Sequence, residues 1–327
     1  MVIDSNFFMS LALKEAWKYQ GLTYPNPAVG CVITGQKDEL LAINAHQKAG
    51  SPHAEVMALK DAYIKLTNDK NISEITASKE IHSYLLKNHK NCFKDISIYT
   101  TLEPCSHIGK TPSCASLISN LGVKKVFVGV CDINEQASCG NDLLIKNGVE
   151  VTTGILKKEC EESIYPFNRW NKKNFVFFKW AQRLDGSTDN GIISSNNSRV
   201  NVHAMRNLCD LLVIGGNTVR VDRPRLDARL VDGKAPDILI ISRKKDFDKT
   251  IPLFSVKGRK VIIADNFSLL DEYKNIIIEG SSKMFELSRE VVDSYLCYIA
   301  PATADKFKIL NQSKVEEDII IWMKREL

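Results

Sequence analysis

Apolar residues in the first half of the chain follow two periods in turn. Phe7, Phe8, Leu11, Leu13 and Trp17 recur at roughly helical spacing among polar residues, with Asp4 or Ser5 as N-cap, so residues 5–18 are predicted to form an amphipathic helix. After the turn Tyr24-Pro25-Asn26-Pro27, two short β-type runs at 28–34 and 40–44 flank the polar stretch GQKDE and read as a hairpin. Helical patterns at 54–65, 114–121 and 141–146 then alternate with strand-like runs at 96–100, 125–130 and 149–153. The order α-β-β-α-β-α-β-α-β predicts a three-layer α/β unit with helices on a central sheet.

Two stretches break this rhythm. Residues 67–95 are polar and lysine-rich with one short apolar piece, and are expected to be an insertion outside the core whose charges face solvent. Residues 157–173 are charged around Tyr165-Pro166-Phe167 and read as a linker between a first domain at 1–156 and a second at 174–327. The second half carries apolar runs of strand length at 176–180, 211–214, 238–241, 260–264, 276–278, 295–299 and 319–323, with helices at 199–208 and near 283–289. It too is predicted to be α/β, and no internal repeat relates the halves.

Composition narrows the function. The length of 327 residues is about twice that of an ordinary domain, and 44% hydrophobic with 25% charged residues is ordinary globular usage. Lys and Arg number 44 against 39 Asp and Glu, a surplus that suits phosphate-bearing small molecules better than nucleic acid. No apolar run approaches the roughly 18–20 residues of a membrane span, and the N-terminal stretch lacks the basic patch and long apolar core of an export signal, so a cytoplasmic protein without a membrane partner is expected. Nine cysteines is then an odd count for a disulfide framework, which leaves metal ligands, buried thiols or nucleophiles.

The densest chemistry lies in PHAEVMAL at 52–59 and TLEPCSHIGKTPSC at 101–114. His53, Cys105 and Cys114 offer one imidazole and two thiolates, a donor set suited to Zn²⁺. Three protein ligands leave a fourth position open, the mark of a catalytic site, where zinc brings the pKa of its water to about 7. Glu55, two residues after His53, can face the same cavity without binding the metal and carry a proton to a departing amine. His-x-Glu followed by Pro-Cys-x-x-Cys is the signature of the zinc nucleobase deaminases; here the second spacing is longer, with SHIGKTPS between the cysteines.

With PNPAVG at 25–30, HQKAG at 46–50, HAE at 53–55 and EPCSHIGKTPSC at 103–114, the chain resembles the bifunctional riboflavin-biosynthesis deaminase-reductases. The resemblance implies a cytidine-deaminase-like first domain in which Asn26, His46, His107 and Lys110 line the substrate pocket, Lys110 facing the ribosyl phosphate. It continues through FFKWAQRLDGSTDNG at 177–191, residues 198–229 and YIAPATADKF at 298–307, and implies a dihydrofolate-reductase-like second domain that takes NADPH. No Gly-x-Gly-x-x-Gly follows a strand, so a Rossmann cofactor site is not supported.

From the residues alone, Gly215-Gly216 after a strand permits close backbone approach by a phosphate or forms a plain tight turn. Arg220, Arg223, Arg225 and Arg229 place four guanidinium groups within ten residues, of which one or two are expected to meet ligand. By the resemblance Ala181, Gly215, Gly216, Thr218, Asp222 and Gly280 would lie at the cofactor, with the Leu184-Asp185-Gly186 turn near its nicotinamide end, and Leu226, Arg229 and Glu279 at the substrate. The chain departs from the family in lacking a Gly-Glu-Ser-x-Trp-like loop after Asp189-Asn190-Gly191, in carrying Glu279-Gly280-Ser281-Ser282 for Glu-Gly-Gly-Pro, and in the shortness of this half.

The implied activity is zinc-dependent deamination of 2,5-diamino-6-(5-phosphoribosylamino)pyrimidin-4-one followed by NADPH-dependent reduction of its ribosyl group to ribityl. A homo-oligomer is compatible with it. The alternatives are a deaminase with an inactive reductase-like half, a nucleic-acid or nucleoside zinc deaminase, and a zinc-stabilised binding protein without turnover.

Overall fold

The computed structural model describes residues 4–106, 112–132, 139–188, 191–301, 307–315 and 318–325. The chain divides into two compact units, Met1–Lys172 and Lys173–Leu327.

The first unit runs α1 (Ser5–Trp17), β1 (Gly30–Thr34), β2 (Leu40–Ala45), α2 (Ala54–Thr67), α3 (Ser78–Asn88), β3 (Ser97–Leu102), α4 (Cys114–Asn120), β4 (Lys125–Val130), α5 (Gly140–Lys146), β5 (Glu150–Thr153), α6 (Lys157–Ser163) and α7 (Tyr165–Lys172). Asp4 caps α1 by accepting the Phe7 N–H at 2.9 Å, and Phe8, Met9, Ala12, Leu13 and Ala16 form its buried stripe. The helix lies directly on the sheet, for a Cβ at Gly30 of β1 would fall 1.9 Å from the Ala12 carbonyl oxygen. Strand order is β2-β1-β3-β4-β5, with β1 antiparallel to β2 and β3, and β3, β4 and β5 parallel.

The segment expected to lie outside the core is corrected by the structure. Ile72, Ile81, Leu85 and Phe93 are fully buried and join the first unit's core. Polar groups fasten the same segment: Lys60 of α2 donates to the carbonyls of Ser73 at 2.7 Å and Ile75 at 2.8 Å, and the Tyr63 and Tyr84 hydroxyls both donate to Asp69 at 2.9 and 2.7 Å. The stretch read as a linker likewise holds α6 and α7, with Cys160 and Ile164 buried in that core. Its charges had masked the few apolar positions that a short helix needs for docking.

The second unit comprises β6 (Phe175–Arg183), α8 (Asn196–Leu208), β7 (Leu211–Gly215), α9 (Gly216–Asp222), β8 (Asp237–Ile241), β9 (Val261–Ala264), β10 (Asn275–Glu279), α10 (Ser282–Ser288), β11 (Ser294–Ala300), β12 (Phe307–Val315) and β13 (Asp318–Arg325). Strands β11-β6-β10-β7-β8-β9 form a parallel sheet, and β12 pairs with β13 antiparallel. The near-continuous apolar runs VFF, LLVI, ILII and III are those of strands covered on both faces. Two elements were not expected from sequence: β12, whose polar run FKILNQSKV has no clear alternation, and α9, which begins where paired glycines read as a turn.

Candidate active sites

In the first unit the backbone brings two helix starts to the carboxyl end of β3. His53 is the N-cap residue of α2, Cys114 opens α4, and Cys105 follows β3 after Glu103-Pro104. The Cys105 carbonyl accepts the Ser113 hydroxyl at 2.9 Å and the Ala115 N–H at 3.1 Å, which fastens it to the start of α4. Glu103 holds this corner from the other side, its carboxylate accepting the Asn141 N–H at 2.9 Å and the Asp132 N–H at 3.0 Å.

The three expected ligands converge. His53 Nδ1 lies 3.6 Å from Cys105 Sγ and 3.4 Å from Cys114 Sγ, and the donor atoms all fall within 4.8 Å of one another. Tetrahedral zinc with N and S at about 2.0 and 2.3 Å requires an N···S separation of about 3.6 Å, so the donor set fits the ion. The thiols are unequal. Cys105, hydrogen-bonded by Cys114 and facing His53, is pushed down, whereas the same contact and burial push Cys114 up. Metal binding displaces the remaining proton.

Glu55 sits in the first turn of α2 with 4% of its surface exposed. Burial raises its carboxyl to about 7 against the opposing effect of His53, and the Cys114 thiol hydrogen-bonds it. A carboxyl that titrates near neutrality beside a metal-ligand cluster can take and return a proton.

Of the expected pocket residues, Asn26 and His46 come together. Asn26 Nδ2 is 3.1 Å from His46 Nε2, and His46 Nδ1 is 3.2 Å from the Pro52 carbonyl oxygen. A carbonyl only accepts, so Nδ1 carries the proton and bare Nε2 accepts from the amide. Burial lowers His46 to about 4 and keeps it neutral, and its ring meets that of His53 edge-on at 5.5 Å. His107 and Lys110 lie outside the described residues.

In the second unit Ala181, Gly215, Glu279 and Gly280 collect at the carboxyl ends of the neighbouring strands β6, β7 and β10, where Glu279 is in register with Lys179 and Ile214. Crevices at this edge of parallel sheets are the usual ligand sites of open α/β folds, and Ala181, Thr218 and Gly280 are half-buried there, an arrangement that suits an extended cofactor. Gly216 has a packing reason of its own, since its Cβ would meet Ser242 at 2.6 Å. Thr218 and the exposed Asp222 lie one turn apart on α9. After β6, Gly186 at φ +82° closes the Leu184-Asp185-Gly186 turn, with its N–H on the Arg183 carbonyl at 2.9 Å.

Glu279 is 8% exposed and accepts both Nε and Nη2 of Arg206 at 2.8 Å, with Lys179 at 3.9 Å; despite burial, these cations hold its carboxyl down at about 2. Arg206 also reaches the Asp227 carbonyl at 3.5 Å, which ties the segment of buried Leu226 and exposed Arg229 to β10. The four-arginine run divides. Arg220 stacks 3.9 Å over Phe247 and bonds the carbonyls of Lys244 and Asp246, and Arg223 binds Asp248 at 2.7 Å. Arg225 and Arg229 flank Asp227 at 2.5 Å each, with their guanidinium faces half exposed. Lys179, Arg206 and Glu103 carried no expectation from sequence; the Glu-Pro-Cys corner could have singled out Glu103, while nothing local marks Arg206.

A His-Cys-Cys cluster at two helix starts, a buried carboxylate beside it and a separate parallel-sheet unit define a two-unit enzyme with a zinc-dependent deaminase centre. The model of the cytidine and deoxycytidylate deaminase zinc-binding region matches residues 3–130, and that of the RibD C-terminal domain matches residues 174–304. The riboflavin biosynthesis protein RibD of Aquifex aeolicus is 30% identical over 99% of both chains. Among solved structures, the diaminohydroxyphosphoribosylaminopyrimidine deaminase/5-amino-6-(5-phosphoribosylamino)uracil reductase of Thermotoga maritima is 26% identical with a TM-score of 0.63 and covers 98% of each chain. RibD of Acinetobacter baumannii, at 24% identity and a TM-score of 0.61 over 99% of each chain, shares the fold. The chain belongs to the RibD family, the bifunctional deaminase-reductases of riboflavin biosynthesis, with a zinc-binding deaminase domain and an NADPH-linked reductase domain. Among the described residues no helix is long and apolar enough to cross a membrane.

Proposed function

We propose that the first unit deaminates diaminohydroxyphosphoribosylaminopyrimidine and the second reduces the resulting 5-amino-6-(5-phosphoribosylamino)uracil, in the reducing cytoplasm that nine cysteines without a disulfide suit. The observation that carries this reading is the cluster itself: three donors at zinc spacing with a buried carboxyl raised to about 7 beside them. His53, Cys105 and Cys114 would hold the zinc, which when bound would acidify a water and so supply the nucleophile. Glu55 would take a proton from the attacking water on its carboxylate and give it to the departing amine, so that nitrogen leaves as neutral ammonia. Neutral His46, fixed by Pro52, orients Asn26 toward the pyrimidine edge. His107 and Lys110, expected at the substrate, complete the pocket in this reading.

In the second unit NADPH supplies the hydride. Ala181, Gly215, Gly216, Thr218, Asp222 and Gly280 are assigned to the cofactor, and Leu226, Arg229 and Glu279 to the substrate side, where Glu279 acts through its grip on Arg206 and Lys179. The test is one coupled assay on metal-replete protein. Substrate alone should release ammonia, and ammonia release with NADPH present should be followed by loss of nicotinamide absorbance. Ammonia without NADPH oxidation would leave a deaminase only, and neither signal would overturn the reading.

A further inference from the structure

Helix α3 turns Ser78, Ile81, His82 and Leu85 inward at the i, i+3, i+4, i+7 spacing of one helix face. Ile81 and Leu85 join the core, but the polar pair is unsatisfied: Ser78 Oγ and His82 Nε2 are buried and have no hydrogen-bond partner among the described residues. An unpaired buried polar atom destabilises the fold, and a leucine at either position would avoid that cost. The place of the histidine is informative. Helix α3 packs against α2 and α4, the two helices that begin at His53 and Cys114, and His82 is 5% exposed. Burial keeps its ring neutral, and the charged groups that act on it are Cys105 and His53. The Cys105 sulfur accepts the Cys114 N–H at 3.4 Å, and a zinc-bound thiolate keeps lone pairs for a further donor.

We propose that His82 is a positioning residue of the metal centre, whose ring N–H hydrogen-bonds the Cys105 thiolate in the zinc-loaded enzyme and fixes that ligand's orientation. The inference rests on reading His53, Cys105 and Cys114 as the zinc site. It gives the 67–95 segment a role beyond packing, because that segment carries the histidine. Outer-shell partners of this kind are worth roughly 10–100-fold in metal affinity.

The test uses the full chain. Zinc affinity is measured by chelator competition for wild type, His82→Leu and His82→Gln, and each protein is also loaded with Co²⁺ to record its thiolate-to-metal charge-transfer band. Wild type should hold one zinc. His82→Leu should remain folded, bind zinc about 10–100-fold more weakly and shift the band, and His82→Gln, which keeps an N–H, should recover much of both. Equal affinity and an unmoved band in His82→Leu, or no recovery in His82→Gln, would overturn the proposal. Should the leucine variant fail to fold, ¹⁵N-imidazole spectra of wild type decide: zinc must shift the His82 N–H resonance, and an unchanged signal overturns the proposal. Wild type without zinc would instead defeat the site reading itself.

Discussion

Glu55 and the ligand thiols carry the sharpest consequences of single atoms. Glu55 lies beside the Cys114 thiol and outside the His53-Cys105-Cys114 set, so Glu55→Gln should keep its zinc while deamination falls by roughly 10²–10⁴-fold. Metal analysis beside an ammonia assay checks this, and loss of zinc would reassign the residue. Of the nine cysteines, Cys105 and Cys114 cluster with His53, so their serine variants should release zinc, whereas Cys31, Cys92, Cys131, Cys139, Cys160, Cys209 and Cys297 variants should retain it. The cluster of His53, Cys105 and Cys114 was legible in the sequence because a His-x-Glu and a Pro-Cys stand in the order that this chemistry uses. His82 was not, because a single histidine in a polar stretch carries no spacing signal and its neighbours come from helices distant in the chain.

At the scale of elements, alternating strands and helices were read correctly wherever one face is apolar over several positions. Helix α3 shows where this fails. Its buried stripe mixes Ser78 and His82 with Ile81 and Leu85, so the apolar count falls below what a periodicity reading needs while the helix still docks. Helix α9 was missed for the opposite reason, since its first residue is a glycine that reads as a turn but is needed for contact with Ser242. If 67–95 were a solvated appendage, truncations within it would cost nothing. Instead Leu85→Ala should destabilise the first unit by about 2–5 kcal/mol and Phe93→Ala by about 3–5 kcal/mol, measured by denaturant unfolding of zinc-free protein. Values near zero would return the segment to the surface.

For the whole molecule, the two units bear separate chemistries, so damage to one can be read against the other. The long-range pair of Arg206 on α8 and Glu279 on β10 joins residues 73 apart, and no local pattern could have announced it. Breaking one side of such a buried pair costs about 3–5 kcal/mol because it strands the other charge. Glu279→Gln should therefore lower the unfolding transition of the second unit and abolish NADPH oxidation, while ammonia release from the first unit stays at wild-type rate. The pH dependence follows in sign from the carboxyl. Arg206 and Lys179 outweigh burial and hold Glu279 at about 2 in the folded chain, against about 4.5 when unfolded, so below pH 4.5 the unfolded state binds the proton first. The contribution, about 3 kcal/mol by the difference of the two values, is complete above pH 4.5 and is lost as pH falls toward 2. Calorimetry of the full chain from pH 6 to pH 3 should show the second unit's transition falling more steeply in wild type than in Glu279→Gln, and parallel slopes would mean that Glu279 is not held ionised by its cations.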